Sequence, residues 1–226
     1  MNPSDAPVHV KYEDEHLVIA WKPHGLLTSG NSGRTFVQAV NRTRAEGSDN
    51  GVLPCHRLDF GTSGWVVFGK TARAAREVGL LFEQRRITKQ YLALVHGDVP
   101  HSMTMAWPLD GKTASTHVER LARGRMAGAG PVSFVRVEPI TGRTHQIRRH
   151  LFGTGHGIVG DDRYEIPGER YTGKGLFLCA YRIEFEHPLE REVLIQLEGE
   201  PSKKFRKLPF VHQSDFIQRF SLSSHE

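Results

Sequence analysis

Short apolar runs, separated by polar and glycine-containing segments, follow one another along most of this chain. Residues 8–22 predict two strands around an acidic turn, because apolar positions stand on both sides of Glu13-Asp14-Glu15. The uninterrupted run at residues 65–68 is typical of a buried strand. Residues 91–95, 101–138 and 175–192 also have strand composition, and turn signals divide the second of these ranges.

A different period, with apolar side chains three or four positions apart, predicts helices between these strands. Residues 35–46 form one such segment. Thr71 is a suitable N-cap for a second helix that ends near Arg85. Thr144 is a suitable N-cap for a third, and residues 202–208 form a short basic helix or tail. The residues alone therefore predict a mixture of helices and strands.

The composition is that of an ordinary folded domain, with 226 residues, 38% hydrophobic and 24% charged. No apolar run is long enough to cross a bilayer, and the first residues lack the pattern of a signal peptide. Two cysteines without a close pairing argue against a disulfide scaffold and favour a reducing compartment, the cytoplasm. A net charge of +5 points weakly to a polyanionic partner.

The stretch PCHRLDFGTSGWVVFGKT, residues 54–71, places Asp59 on a turn that leads into the apolar strand. Functional side chains concentrate on loops that rigid elements hold. An Asp before Gly-Thr-Ser-Gly is also ordinary turn chemistry, because short polar side chains bond to their own backbone. Considered without its neighbours, Asp59 therefore fits a structural turn as well as a catalytic carboxylate.

No cofactor or metal site is expected from the sequence. The chain contains neither GxGxxG nor GxxxxGK[ST], the glycine-rich strings that hold dinucleotides and nucleotide phosphates. The histidines of residues 139–164 suggest a metal, but His145 and His150 are five positions apart and lack the glutamate of HExxH.

Three motifs together resemble those of the RluA-type pseudouridine synthases. They are HRLD followed by TSG and KT, a K-x-Y-x-A-x-V-x-G string from Lys89 to Gly97, and GRTHQIR followed by IVGDxxY. The resemblance covers about residues 10–190. It implies the isomerisation of uridine to pseudouridine in structured RNA, either ribosomal or transfer RNA, with Asp59 as the catalytic residue after base flipping.

The resemblance also implies roles for other residues. Arg148 is expected to form an ion pair with Asp59, although spacing alone would not choose it over Arg149. Tyr91 is expected to lie against the target base and Arg57 to fill the space that the flipped base leaves. Further contacts to RNA or to the base are expected from His56, Ile147, Leu178, His145 and Arg143. Cys179 stands where the family usually has His and receives no role.

The fold class that follows is α+β, with a largely antiparallel mixed sheet and flanking helices. We expect a single catalytic domain over residues 1–226, with its core at about 10–210 and no separate N-terminal RNA-binding domain. The Asp59 turn and residues 143–149 should line its cleft. The expected partner is RNA, with no DNA and no membrane, and the protein is expected to be a monomer.

Two other functions are compatible with parts of the sequence. A non-catalytic RNA-binding or RNA-folding protein would have the same charge and aromatic contacts, but it would not need an Asp59–Arg148 pair. A hydrolase of glycosidic bonds would need two carboxylates. Asp161 and Asp162 are the nearby candidates for the second, and Gly160-Asp161-Asp162 indicates a turn, which favours a structural role for both.

Overall fold

A computed structural model describes residues 7–31, 34–44, 51–168, 171–173 and 175–211. Ten strands lie in these ranges: β1 His9–Glu13, β2 Leu17–Lys22, β3 Leu53–Pro54, β4 Ser63–Gly69, β5 Thr88–His96, β6 Ser102–Met105, β7 Thr116–Met126, β8 Gly130–Pro139, β9 Leu178–Glu186 and β10 Leu194–Glu198. The same ranges contain four helices: α1 Phe36–Arg44, α2 Ala72–Glu83, α3 Gln146–Gly153 and α4 Lys203–Arg206.

The chain divides into two compact units, the first from Met1–Thr88 and Arg182–Gly199, the second from Lys89–Tyr181 and Glu200–Glu226. In the first unit β1 pairs with β2, β2 and β3 pair with β4, and β10 pairs with the last residues of β9. All of these pairings are antiparallel. The acidic turn between β1 and β2 is closed by Asp14, whose carboxylate accepts hydrogen bonds from the His16 and Leu17 amides.

The core of the first unit lies between its sheet and α2. Leu17 and Ile19 of β2 project to the same side as Trp65 and Val67 of β4, as the two-residue period of a strand requires. Helix α2 covers this side with three buried residues at the spacing of one helix face: Ala74, Val78 and Leu81. Thr71 caps α2 as predicted, since its side chain accepts a hydrogen bond from the Ala74 amide.

The second unit is built on an antiparallel sheet in which β5, β8, β7 and β6 are neighbours in that order. Tyr91 and Val118 both lie opposite Val137, on either side of β8. The predicted β region of residues 101–138 is therefore confirmed, and β7 and β8 form a long hairpin across the glycine-rich break. The predicted α+β class, with a largely antiparallel sheet and flanking helices, is also confirmed.

Some predicted boundaries were wrong. Thr144 does not cap α3: the N-cap position belongs to His145, which has φ 52° and makes no side-chain cap hydrogen bond. Helix α2 ends at Glu83 rather than at Arg85, which takes a left-handed conformation with φ 59°. Strand β10 was not predicted. Residues 45–46, assigned to the first helix, lie outside the described ranges. No helix within those ranges combines the length and apolarity of a membrane span.

Two glycines of the first unit differ in what a side chain would meet. A Cβ on Gly69, at the end of β4, would lie 2.8 Å from the Cα of Ala75, whereas a Cβ on Gly79 of α2 would meet no atom within 4 Å. We expect Gly69→Ala to lower the free energy of unfolding by ~1–3 kcal/mol through overpacking. The control, Gly79→Ala, should raise it by ~0.5–1 kcal/mol. Urea denaturation measures the free energy of unfolding of both variants. Equal changes in the two variants would contradict the expected overpacking at Gly69.

Candidate active site

Asp59 lies on the loop between β3 and β4, and hydrogen bonds fix the backbone on both sides of it. The hydroxyl of Thr28 donates to the Leu58 carbonyl at 3.0 Å and accepts from the Leu58 amide at 3.1 Å. The Asp59 carbonyl accepts a hydrogen bond from the Thr62 amide at 3.1 Å. The carboxylate is half-buried. The loop therefore presents this side chain in one defined position.

Lys22, at the end of β2, is fully buried beneath this loop. Its ammonium group donates to the carbonyls of Pro23, Leu26 and Phe60 at 3.0, 2.7 and 3.5 Å. It therefore joins the loop after β2 to the loop that carries Asp59. Burial lowers the pKa of Lys22 from 10.5 to about 7, while the charge of Asp59 acts in the opposite direction.

His56 and Arg57, the other predicted site residues of this unit, have different surroundings. The Nε2 atom of His56 accepts a hydrogen bond from the Val67 amide at 3.0 Å, and its ring centroid lies 4.6 Å from that of Phe82. The imidazole is thus held against β4 and α2. Arg57 is exposed to solvent. The RNA-contacting roles predicted for these two residues stay predictions.

In the second unit, helix α3 is fixed to β7 by two polar side chains four residues apart. The amide group of Gln146 donates to the Ser115 carbonyl and to the Thr116 hydroxyl, at 2.9 and 3.0 Å. Its Oε1 accepts from the Arg143 amide at 3.0 Å. His150 contacts the same Thr116 hydroxyl at 2.8 Å. These contacts attach α3 to the start of β7.

Arg148 lies on α3 in a buried ion pair with Asp161. Its Nε and Nη2 atoms donate to the two carboxylate oxygens at 2.7 and 2.6 Å, and the side chains are 8% and 0% exposed. The same carboxylate accepts from the amides of Arg163 and Tyr164, both at 3.0 Å. The guanidinium carbon also lies 5.2 Å from the centre of the Tyr164 ring. Asp161 is therefore more than the turn residue predicted from the sequence, because it holds one edge of Arg148.

The remaining predicted residues of this unit lie on β5, on α3 and the segment before it, and on β9. Tyr91 is half-buried on β5. Arg143 donates through Nε to the Thr113 carbonyl at 3.1 Å, and His145 contacts the Tyr164 hydroxyl at 3.2 Å through Nδ1. Ile147 and Leu178 are buried, with 6% and 3% exposure. Arg148, His145, Asp161 and Tyr164 thus form one cluster.

The predicted ion pair between Asp59 and Arg148 stays a prediction, because the two residues belong to different units. The supporting contacts of three side chains were not predicted from the sequence: those of Lys22, Asp161 and Tyr164. The strings KPHG and GDDRY did mark their positions, although neither string reveals which atoms these side chains contact. Among the described residues, no group of three or more His, Cys, Asp or Glu side chains is arranged to hold a metal ion.

Comparison with known proteins identifies the family. Residues 16–152 match the sequence profile described as RNA pseudouridylate synthase. The chain belongs to this family. It is also 33% identical over 209 residues to the dual-specificity RNA pseudouridine synthase RluA of Haemophilus influenzae, an alignment that covers 85% of this chain and 93% of the relative. The protein is therefore an RNA pseudouridine synthase, an isomerase whose partner is RNA.

Other pseudouridine synthases support the assignment. The ribosomal large subunit pseudouridine synthase C of Vibrio parahaemolyticus is 35% identical over 202 residues, which are 80% of this chain and 62% of that protein. The solved structure of human RNA pseudouridylate synthase domain containing 1 has a TM-score of 0.71 at 26% identity and covers 85% of this chain and 83% of that one. These comparisons give no support to the alternative of a non-catalytic RNA-binding protein.

The buried ammonium of Lys22 should titrate near neutral pH in the folded synthase. Because the unfolded chain holds this proton up to about pH 10.5, it binds more protons than the folded chain above pH 7, and stability from this group rises between about pH 7 and 10.5. We expect the lysine ¹³Cε NMR signal of Lys22 to titrate near pH 7. In Asp59→Asn, which lacks the opposing charge, the midpoint should be lower.

Asp98→Asn is the matched control, because Asp98 lies on the other unit and pairs with Arg120 and Arg123. It should leave the Lys22 midpoint unchanged. A titration midpoint that is the same in wild type and Asp59→Asn would show that the two charges do not interact.

The carboxylate of Asp161 should contribute strongly to stability. Burial raises its pKa, but the hydrogen bonds from Arg148 and from the Arg163 and Tyr164 amides outweigh burial and hold it below 3.8. We expect Asp161→Asn to lower the free energy of unfolding at pH 7 by ~3–5 kcal/mol, because it removes the buried carboxylate charge that accepts two hydrogen bonds from the Arg148 guanidinium. The contribution of the ionised carboxylate to the free energy of unfolding should be lost in the wild type as the pH falls below about 3.8. Asp161→Asn lacks this carboxylate, so its free energy of unfolding should not show this dependence on pH.

The neighbouring Asp162 provides the control for this measurement. Its side chain is 97% exposed and 3.5 Å from the same Nη2 atom. Asp162→Asn should therefore change the free energy of unfolding by ~0–1 kcal/mol, as exposed ion pairs do. Urea denaturation at pH 7 and pH 3.5 compares the three proteins. Similar losses in the two variants would contradict the special role of Asp161.

Proposed function

We propose that Asp59 is the catalytic carboxylate of this synthase and that the chain isomerises specific uridines in ribosomal or transfer RNA. The observation that carries this proposal is the setting of Asp59, a half-buried carboxylate on a loop fixed by Thr28 and Lys22. A charge at the reacting atoms is useful only where its position is held. The loop meets this requirement, since its backbone is bonded on both sides of Asp59.

The reaction conserves the atoms of uridine. The bond between N1 and C1′ breaks, the uracil turns, a bond between C5 and C1′ forms, and the proton on C5 is lost while N1 gains one. Asp59 can assist in two ways: as a nucleophile that adds covalently, or as a general base that removes a proton from the ribose. Both require the ionised carboxylate.

Arg148 is proposed as the cation that pairs with Asp59, with Asp161 holding its Nε edge. Tyr91 is proposed to stack against the flipped uracil, which returns ~1–3 kcal/mol of the flipping cost. Arg57, exposed on the same loop as Asp59, is proposed to fill the vacated position in the RNA. His56, His145, Arg143, Ile147 and Leu178 are assigned to contacts with the RNA or the base, as the family resemblance implies.

The substrate proposal uses the named activities of the relatives. One is a dual-specificity RNA pseudouridine synthase and another a ribosomal large subunit enzyme. We propose that the whole chain acts as one catalytic domain and as a monomer. Neither Cys55 nor Cys179 forms a disulfide, which suits the reducing cytoplasm.

The activity is tested by incubating unmodified ribosomal and transfer RNA transcripts with the protein and locating pseudouridine by carbodiimide adducts and primer extension. Wild type should produce a new stop, and Asp59→Asn should lower the rate by at least ~100-fold, as expected for the loss of a group that acts on the reacting atoms. Arg148→Ala should lower it by a similar factor if Arg148 pairs with Asp59.

Arg149→Ala is the matched control for Arg148→Ala. Arg149 is the next residue of α3, but its guanidinium pairs with the exposed carboxylate of Asp110 at 2.8 Å. This variant should keep the wild-type rate within a factor of ~3, because an exposed ion pair contributes little. Full activity of Asp59→Asn would refute the catalytic assignment, and full activity of Arg148→Ala would refute the pairing.

A further inference from the structure

The side chain of Phe60 lies in solvent immediately after Asp59. It is 58% exposed, the second most exposed of the large hydrophobic side chains in the described ranges. Single exposed apolar residues are common on protein surfaces and need no explanation by themselves. The position of this one is unusual, because it is bonded directly to the residue proposed to react.

The backbone of Phe60 is held although its ring is not covered. Its carbonyl accepts a hydrogen bond from the Gly25 amide at 2.8 Å and one from the ammonium of Lys22 at 3.5 Å. The preceding carbonyl, that of Asp59, accepts from the Thr62 amide. An aromatic ring on a fixed backbone loses little conformational freedom when a ligand covers it, so preorganisation favours binding there.

The exposed groups beside Phe60 have the chemistry of a surface that binds single-stranded RNA. Arg57 is exposed on the same loop. The adjoining loop, which Lys22 and Gly25 join to Phe60, exposes His24 and Leu27. Proteins that hold unpaired nucleotides combine aromatic rings, on which bases stack, with cationic side chains that contact phosphates. The ring of Phe60 and the guanidinium of Arg57 provide these two kinds of group on one loop.

We propose that Phe60 stacks on the nucleobase next to the target uridine and thereby contributes to the choice of RNA site. This proposal rests on the assignment of Asp59 as the catalytic carboxylate. Phe60 follows Asp59 directly in the chain and its ring is exposed. With the flipped uridine at Asp59, this ring is the nearest exposed aromatic surface on the loop for a neighbouring base. Because every base has a π-face, stacking adds affinity and favours the larger face of a purine.

The test measures binding first and catalysis second. Stem-loop RNAs cut from transfer and ribosomal RNA, labelled with fluorescein, are titrated with wild type, Phe60→Ala, Phe60→Leu and Phe60→Trp, and Kd is read from anisotropy. Phe60→Ala should raise Kd by about 5- to 100-fold, the range expected for the loss of one stacked base. Phe60→Trp should bind at least as tightly as wild type. Phe60→Leu should stay close to Phe60→Ala, because it is apolar but has no π-face.

Leu194→Ala is the control for the loss of exposed apolar surface, since Leu194 is 59% exposed on β10. Its Kd should match that of wild type. In the stem-loop that wild type modifies, 2-aminopurine placed beside the target uridine should lose fluorescence on binding to wild type and to Leu194→Ala. It should not do so with Phe60→Ala, where the stacking partner is absent.

The outcomes separate this proposal from the assignment of the activity. An unchanged Kd for Phe60→Ala, or full recovery of affinity in Phe60→Leu, would refute stacking even if wild type makes pseudouridine. A second outcome is that no transcript acquires pseudouridine while Phe60→Ala still binds RNA more weakly than wild type. This outcome would overturn the proposed reaction and leave Phe60 as an RNA-binding residue. Absence of RNA binding by wild type would refute both.

Discussion

The first unit depends on a charge that is buried at the end of a strand. Lys22 lies opposite Gly64 in the pairing of β2 with β4, and its ammonium has no exposure to solvent. Removing an ammonium from water is costly unless it is hydrogen-bonded and paired. Here three carbonyls from two loops accept hydrogen bonds from it, and Asp59 supplies the opposing charge. A shift of either loop would therefore remove hydrogen-bond acceptors from a buried ammonium group, which favours the observed positions of both loops.

The second unit also contains a buried charged group, which contacts helix α3. Asp161 is fully buried and accepts four hydrogen bonds, two from Arg148 and two from backbone amides. This fixes one edge of the guanidinium. Because Arg is always charged and its fork is planar, its orientation is defined by the carboxylate that it meets. In both units, then, a side chain proposed to act in catalysis is oriented by a buried charge that the reaction itself does not consume.

Much of the fold followed from local patterns, and the supporting contacts of the site did not. The apolar run of β4 and the Thr71 cap are decided by neighbours in sequence, and both were predicted. Thr144 was predicted as the cap of α3, but the N-cap position is His145, and the polar contacts of the first turn come from Gln146, which bonds to residues 30 and 31 positions away. Lys22 and Phe60 are 38 positions apart. Such contacts depend on strand register and on loop closure, which no short window of sequence contains. Family motifs marked their positions but not their partners.

The link between Lys22 and Asp59 bears on both routes by which Asp59 can act. The negative charge of Asp59 raises the pKa of Lys22 and so opposes the effect of burial. If Asp59 is the catalytic carboxylate, as proposed, covalent addition would neutralise its charge, and so would the uptake of a ribose proton. In either case the pKa of Lys22, about 7 in the resting protein, would fall further because the opposing charge is lost. On the proposed assignment, the protonation of this fully buried lysine would therefore follow the charge on the carboxylate by either route.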